Sequence, residues 1–372
     1  MDNHVVVIGA GRMGTAISWA MNELGWKVLA MDSSPEALHR LSETVEGVEV
    51  MFSKHTDGLQ KVIEEKSPVI VISSLPYHQN LAVARLCISH KVRYCDLGGR
   101  VDVSGQINEI ARKEAVKPVM TDLGLAPGWV NILAERGCSQ LHRQAENVKM
   151  MVGGLPIMPI NHPLDYEVTW SIDGLVNEYR DNCEILEDGE IKVVNGMEGL
   201  ERVYSSSLEK ELEAFYTSGG ASHTIRDMKK RGVKNCHYKT LRYKGHQQIV
   251  KFLIRDSKLT DECLFQIFEN GCRNNASKGD VVVVKATVSA QDVYWDKEIK
   301  VYSGDFKTEF SAMQQATAFP ISSVASLMAE GFFDNREIEH RGYKEKLPVT
   351  LTYQDIPFER FNENLKLLGV KV

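Results

Sequence analysis

Short apolar, β-branched runs alternate with amphipathic stretches over the first 125 residues. Runs at 4–8, 27–31, 48–52, 68–73, 92–96 and 118–122 predict strands. Between them, 13–24, 35–45, 58–65, 78–89 and 103–115 carry apolar positions at helical spacing. Alternation of this kind builds a parallel, doubly wound sheet. Ser34 followed by Pro35 marks one helix start, an N-cap residue and then a proline in the first turn.

From about residue 146 the pattern changes. VKMMVGG, YEVTWSI, CEILEDGEIKVV, HYKTLRY, QQIVKFLI and DVVVVKATVSA read as strands without regular crossover helices, and 295–302 extends the set. EDGE at 187–190 reads as a hairpin turn. A long apolar helix follows, and FPISSVASLMAEGFF is too apolar for an exposed tail. Residues 318–331 are therefore expected to return to the first domain, and IPFERFNENLKLLGVKV to form a last helix. The predicted fold is α/β: a Rossmann doubly wound parallel sheet over 1–125, rejoined by about 311–372. A second α+β domain on a mixed sheet occupies 126–310.

Composition narrows the class. The chain has 372 residues, 43% hydrophobic and 25% charged, ordinary for a globular protein of two or three domains. A net charge of −6 argues against a general nucleic-acid binder. Seven scattered cysteines with no CxxC do not fit a structural zinc site and suit a reducing, cytoplasmic setting. No basic region precedes the first apolar run, and no stretch reaches the ~18 apolar residues of a membrane span. Neither a signal peptide nor a membrane partner is expected, and no metal.

The most informative segment is HVVVIGAGRMG. Gly9, Gly11 and Gly14 follow a strand and open a helix, the context that makes GxGxxG a dinucleotide-binding fingerprint. Gly9 permits the tight turn, Gly11 lets the backbone approach a pyrophosphate, and Gly14 lets helix and strand pack closely. Arg12 and Met13 begin the helix whose free N–H groups would face the phosphates. Asp32 ends the second strand 18 residues past Gly14, where an acid bonds the ribose 2′-OH of NAD and its charge opposes a 2′-phosphate. Ser33 and Ser34 work the other way, because hydroxyls also bind phosphate. Ser74, Leu75 and Pro76 after the fourth strand, Asp96 after the fifth and 122–128 after the sixth are expected to border the cofactor cleft.

Further candidates carry plainer readings beside them. DLGLAPGWVN (122–131) reads as a cleft loop bearing Asp122, or as an interdomain turn. The Gly-Gly of VGGLP reads better as a bulge or tight corner than as a ligand contact. Trp170, just before a helix start at 171–173, is either a pocket wall or core. In HYKTLRYKGH, Thr240, Arg242 and Lys244 share one strand face, and Arg suits bidentate capture of a carboxylate. The alternative is a solvated face. His223, beside Gly219-Gly220, has a useful near-neutral pKa, although a lone histidine is usually structural.

VVVIGAGRMG, DLGLAPG, VGGLP, YEVTWSIDGLVNEY, LEAFYTSGG, KTLRYKGH and the TAFP helix resemble, in this order, the saccharopine reductase-like (saccharopine dehydrogenase) family. Within it the chain is most similar to the lysine 6-dehydrogenase branch. That resemblance implies NAD-linked oxidative deamination of L-lysine at the ε-carbon to a semialdehyde. It also implies that Trp170 and Arg242, with Thr240 beside them, contact the amino-acid part of the substrate. The saccharopine-forming branch usually reads GLDPG where this chain has Ala126. Asp122 is the preferred proton-transfer residue and His223 the reserve. The rival readings are a saccharopine-type reductive condensation of amine and aldehyde, and a non-catalytic NAD-binding sensor. A homodimer through the second domain's sheet is also expected.

Overall fold

The computed structural model describes residues 4–371 apart from 55, 159–163, 169, 258, 273–278, 305–308, 335–336, 341–342 and 347–348. The chain divides into two compact units, Met1–Gly128 with Thr317–Val370, and Trp129–Ala316. Among the described residues no helix is long and apolar enough to cross a membrane.

The first unit alternates β1 (His4–Ile8), α1 (Arg12–Glu23), β2 (Lys27–Asp32), α2 (Pro35–Thr44), β3 (Glu49–Phe52) and α3 (Thr56–Lys66). It continues with β4 (Ile70–Ser73), α4 (Tyr77–Ser89), β5 (Arg93–Asp96), α5 (Val101–Glu114) and β6 (Val119–Met120). Val5, Val6 and Val7 are fully buried, as a parallel strand covered on both faces requires. The Ser34 hydroxyl accepts the Ala37 N–H at 3.1 Å and Pro35 opens α2. The predicted strand at 118–122 is cut to two residues. Asp122 adopts φ +63°, in the left-handed region, and a strand cannot run through it.

The second unit begins with α6 (Trp129–Gln140), β7 (Asn147–Pro156), α7 (Ile172–Arg180), β8 (Asn182–Glu187), β9 (Glu190–Asn195), β10 (Glu201–Ser205) and β11 (Lys210–Tyr216). Then come α8 (Thr224–Lys230), β12 (Asn235–Arg242), α9 (His246–Lys251), α10 (Asp261–Gly271), β13 (Asp280–Ala290) and β14 (Val293–Tyr302). These strands make one mixed sheet of order β10-β11-β12-β7-β13-β14, with β8 also pairing β12 and β9. The 187–190 turn joins β8 to β9, with Asp188 and Gly189 both at positive φ.

Three expectations fail here. QQIVKFLI is helical and not extended: β12 ends at Arg242, Gly245 at φ +98° precedes the helix, His246, Gln247 and Val250 bury one helix face, and a π-helical turn continues over Phe252–Asp256. YEVTWSI is not a strand: Tyr166 to Val168 are irregular, Thr169 lies outside the described residues, and Ser171 caps α7. VGGLP is neither bulge nor corner, since β7 runs straight through it. A Cβ on Gly153 would meet the Leu241 Cβ at 2.8 Å, and one on Gly154 the Met313 Cε at 2.4 Å, so the glycines serve close packing.

The chain closes with α11 (Ala312–Ala329), β15 (Glu337–His340), β16 (Tyr343–Lys346), β17 (Thr350–Leu351) and α12 (Phe358–Leu367). Strand β17 pairs in parallel with β6, giving the first unit's sheet the order β17-β6-β5-β4-β1-β2-β3. The ring of Phe319 stacks on Trp19 at 5.5 Å, and Trp26 Nε1 donates to Ser326 Oγ at 2.9 Å. Arg93 and Lys117 each lie 2.6 Å from Asp334.

Candidate active site

In the first unit, β1 lies between β2 and β4, the point where strand order reverses and ligands bind beyond the strand ends. Gly9 takes φ +100° there. A Cβ on Gly14 would sit 1.7 Å from the Gly9 carbonyl oxygen, whereas nothing lies within 4 Å of one on Gly11. Gly14 therefore closes helix onto turn, and exposed Gly11 keeps its backbone open to a ligand. Ser74 Oγ lies 3.0 Å from the Gly9 carbonyl and clamps the turn to β4. Asp32 Oδ2 accepts the Ala10 N–H at 2.6 Å and Oδ1 the Ser34 N–H at 2.7 Å. Asp32 thus holds the glycine turn, and each oxygen keeps a further lone pair for a ribose hydroxyl. Gly11, Arg12 and Ser33 are exposed, Met13 and Leu75 half-buried, and Pro76 exposed. A turn open at Gly11, closed at Gly14 and backed by a carboxylate fits a dinucleotide.

Asp96 does not fit a direct cofactor contact. It is 1% exposed. Its Oδ1 accepts the N–H of Gly98 at 2.8 Å and of Asp122 at 3.3 Å. Its Oδ2 is buried and makes no geometrically sound hydrogen bond among the described residues, although the nearby Tyr94 hydroxyl favours the carboxylate. Burial, followed by the charge of Asp122, pushes its pKa up to about 7. Asp96 is a buried latch between the β5 end and the Asp122 segment. A Cβ on Gly98 would lie 2.3 Å from Asp122 Oδ1, so the Asp122 carboxylate packs directly on that latch.

The second unit holds a cluster built on α7 and β12. Arg242, the last residue of β12, is buried and not on a solvated face. Lys244 lies beyond the strand, exposed in a turn. Arg242 Nε donates to Tyr179 Oη at 2.8 Å and Nη1 to the Leu241 carbonyl at 2.9 Å. Its guanidinium carbon lies 4.4 Å from the centre of the Tyr166 ring, a cation–π contact. Trp170 Nε1 donates to Tyr166 Oη at 3.2 Å, so Trp170 backs the ring on which Arg242 rests. His246 Nδ1 faces the Leu164 carbonyl at 2.8 Å, and Nε2 faces Tyr179 Oη at 3.1 Å. Burial, and then the Arg242 charge, pull its pKa down to about 3. The imidazole is neutral, its proton sits on Nδ1 because a carbonyl only accepts, and Tyr179 donates to Nε2. The tyrosine oxygen is thereby fixed to receive Arg242.

Beside Arg242 lies an anion. Glu178 Oε1 is 2.8 Å from Thr217 Oγ1 and 2.6 Å from Thr240 Oγ1. Among the described residues, no carboxylate pairs with Arg242 and no Lys or Arg with Glu178.

The structure brings Trp170, Thr240 and Arg242 together as one cluster. His223 does not join it by any bond described above: it sits at the N-cap position of α8 without a side-chain capping bond. Tyr166, Glu178, Tyr179, Thr217 and His246 were not singled out from sequence as site residues. Three of them lie in the YEVTWSIDGLVNEY motif, so the signal was present without an assigned role.

Residues 5–120 match the family profile described as saccharopine dehydrogenase NADP binding domain, and 124–348 the saccharopine dehydrogenase C-terminal domain. The chain belongs to the saccharopine dehydrogenase family. A saccharopine dehydrogenase (NADP+, L-glutamate-forming) of Pyricularia oryzae is 24% identical over 275 residues, 69% of this chain and 58% of that protein. The mitochondrial alpha-aminoadipic semialdehyde synthase of Rattus norvegicus is 25% identical over 265 residues, 68% of this chain and 28% of that protein. This family member thus spans less than two thirds of the length of either relative. In fold it matches the apo saccharopine dehydrogenase (L-Glu forming) of Saccharomyces cerevisiae with a TM-score of 0.71, at 17% identity, covering 98% of this chain and 96% of that one.

Proposed function

We propose that this protein is an NAD-dependent oxidoreductase that deaminates L-lysine at its distal carbon, giving the 6-semialdehyde. One observation carries the reading: a buried guanidinium, cradled by two tyrosines, without a carboxylate partner among the described residues. A buried cation is costly unless paired, and a substrate carboxylate supplies the missing partner with matching fork geometry. Bound nicotinamide would accept the hydride. The protein's part is positional and acid–base. Hydride leaves a C–H bond only when the adjoining nitrogen offers its lone pair, so the distal ammonium must first lose a proton. Asp122 takes that proton and passes it to solvent, then takes one from the water that adds to the C=N bond and returns it to the departing nitrogen; His223 is the second choice. Ammonia leaves and the aldehyde remains.

Cofactor choice turns on Asp32. The relatives' names carry NADP+, yet a carboxylate at the end of β2 repels a 2′-phosphate, and the hydroxyl of Ser33 is a weak counterweight. Steady-state kinetics should favour NAD, with Asp32→Ser narrowing the preference; a tenfold preference of the wild type for NADP would reject the assignment.

Arg242→Ala should cost about 2–5 kcal/mol in transition-state binding, as for loss of a desolvated charge partner. Arg242→Lys should restore only part of it. The check is kcat/KM for lysine against cadaverine, which lacks the carboxylate; discrimination that survives in Arg242→Ala would remove Arg242 as the anchor. Asp122→Asn should lower kcat by roughly 10²–10⁴-fold if Asp122 is the base.

The second reading, reductive condensation of an amine with an aldehyde, is favoured by the relatives' names. Oxidation of saccharopine in place of lysine would establish it.

A further inference from the structure

The cluster in the second unit holds a fixed anion as well as a fixed cation. Thr240 and Arg242 are two residues apart on β12, so their side chains share a face about 6.7 Å apart along the strand. Glu178 and Tyr179 are adjacent on α7, and each takes one of them: Glu178 accepts Thr240, and Tyr179 accepts Arg242. The threonine hydroxyls lie 2.7 Å from each other, and both reach Glu178 Oε1. Two hydroxyl protons serve these three contacts, which together hold Oε1 in place, and Oε2 has no donor among the described residues. The Glu178 charge is felt at Arg242, although the two do not form an ion pair. Arg242 is buried and Glu178 half-buried, so the cation in particular lacks a partner to offset its desolvation.

We infer that Glu178 is the acceptor for the substrate's α-ammonium, so that Glu178 and Arg242 together read the zwitterionic end of an α-amino acid. This rests on the amino-acid oxidoreductase reading and adds to it the residue that sets regiochemistry. An ammonium and a carboxylate borne on one carbon offer a donor to Glu178 and an acceptor to Arg242, each through a charge-assisted hydrogen bond. The consequence is chemical. An α-nitrogen held as ammonium by a carboxylate has no lone pair to expel hydride from the α-carbon. The α C–H bond therefore stays intact, and only the distal amine, which can lose its proton, is oxidised. The protein makes an ω-aldehyde and not a 2-oxo acid.

The first test uses ligands that cannot react. L-norleucine, hexanoate and pentylamine share one alkyl chain and carry both charges, the carboxylate alone or the ammonium alone. Calorimetric titration of the wild type should show norleucine binding at least tenfold more tightly than either analogue. Glu178→Gln keeps an oxygen for the two threonines and should retain the wild-type melting temperature. It should lose the preference for norleucine over hexanoate while keeping that over pentylamine, and Glu178→Asp should recover part. Equal wild-type binding of norleucine and hexanoate, or an unchanged ratio in Glu178→Gln, would overturn the inference.

The second test reads regiochemistry: deuterium should reach the nicotinamide from 6,6-dideuterio-lysine and not from 2-deuterio-lysine. Label arriving from C2 would overturn it. A protein that oxidises no lysine defeats the dehydrogenase reading alone, because the norleucine ratios still decide Glu178.

Discussion

At Asp96 burial and hydrogen bonding compete, and burial wins. Two backbone N–H groups favour the carboxylate, yet the site is closed to solvent and Asp122 adds a second negative charge. An unfolded Asp ionises near pH 3.9, the folded one near about 7. Between these values the native state binds more protons than the unfolded state. The contribution of Asp96 is thus most favourable below pH 4 and is lost as pH rises toward 7, by about 1.4 kcal/mol per unit. Asp96→Asn keeps an oxygen for the Gly98 and Asp122 N–H groups and removes the titration. Urea unfolding at several pH values should show the variant gaining on the wild type from pH 4 to 7; parallel curves would show that Asp96 is ionised throughout. Sequence singled out Asp96 correctly as a strand-end acid. Which way its carboxylate points, and how little water reaches it, depends on the chain returning at Asp122.

At the scale of elements, local chemistry was legible where it is local. The glycine turn, the Ser34-Pro35 cap and the 187–190 hairpin each depend on residues within a few positions, and each stands as read. Where burial against the rest of the fold decides, the reading failed. QQIVKFLI looks extended by composition, but β12 ends at Arg242 and the side chains after Gly245 bury a helical face. VGGLP looks like a bend, but Leu241 and Met313 crowd it, and only glycine lets the strand pass straight. The two glycine sites should respond differently to alanine. Gly14→Ala pushes a methyl into a backbone carbonyl and should cost about 1–3 kcal/mol, with at least tenfold weaker NAD binding by fluorescence titration. Gly154→Ala meets only the mobile tip of a methionine and should cost less, with NAD binding unchanged. Equal melting temperatures for the two variants would contradict this account.

At the scale of the molecule, the first unit is assembled from two stretches of chain far apart in sequence. Segment 317–370 adds β17 to the sheet edge, the Phe319 ring against Trp19, the Ser326 hydroxyl for Trp26 and the Asp334 carboxylate for Arg93 and Lys117. A fragment ending at residue 128 would expose Trp19 and leave two cations without their partner. It should melt without a cooperative transition in circular dichroism, and a fusion of 1–128 to 317–372 should restore one. Cooperative melting of the short fragment would show that the first stretch is a folding unit by itself.

By itself the sequence determined the alternation of strands and helices and the glycine turn, and it singled out Trp170, Thr240 and Arg242, which the fold gathers into one cluster. Periodicity and turn chemistry act over a few residues and are written directly in the chain. Only the tertiary structure decided that Arg242 is a buried cation resting on Tyr166 and Tyr179. It also decided that Glu178 stands beside Arg242 on two threonines, and that Asp96 is a latch and not a ligand contact. Those roles depend on burial and on charges set by residues tens of positions away. The cost of an unpaired charge arises only when the fold removes its water.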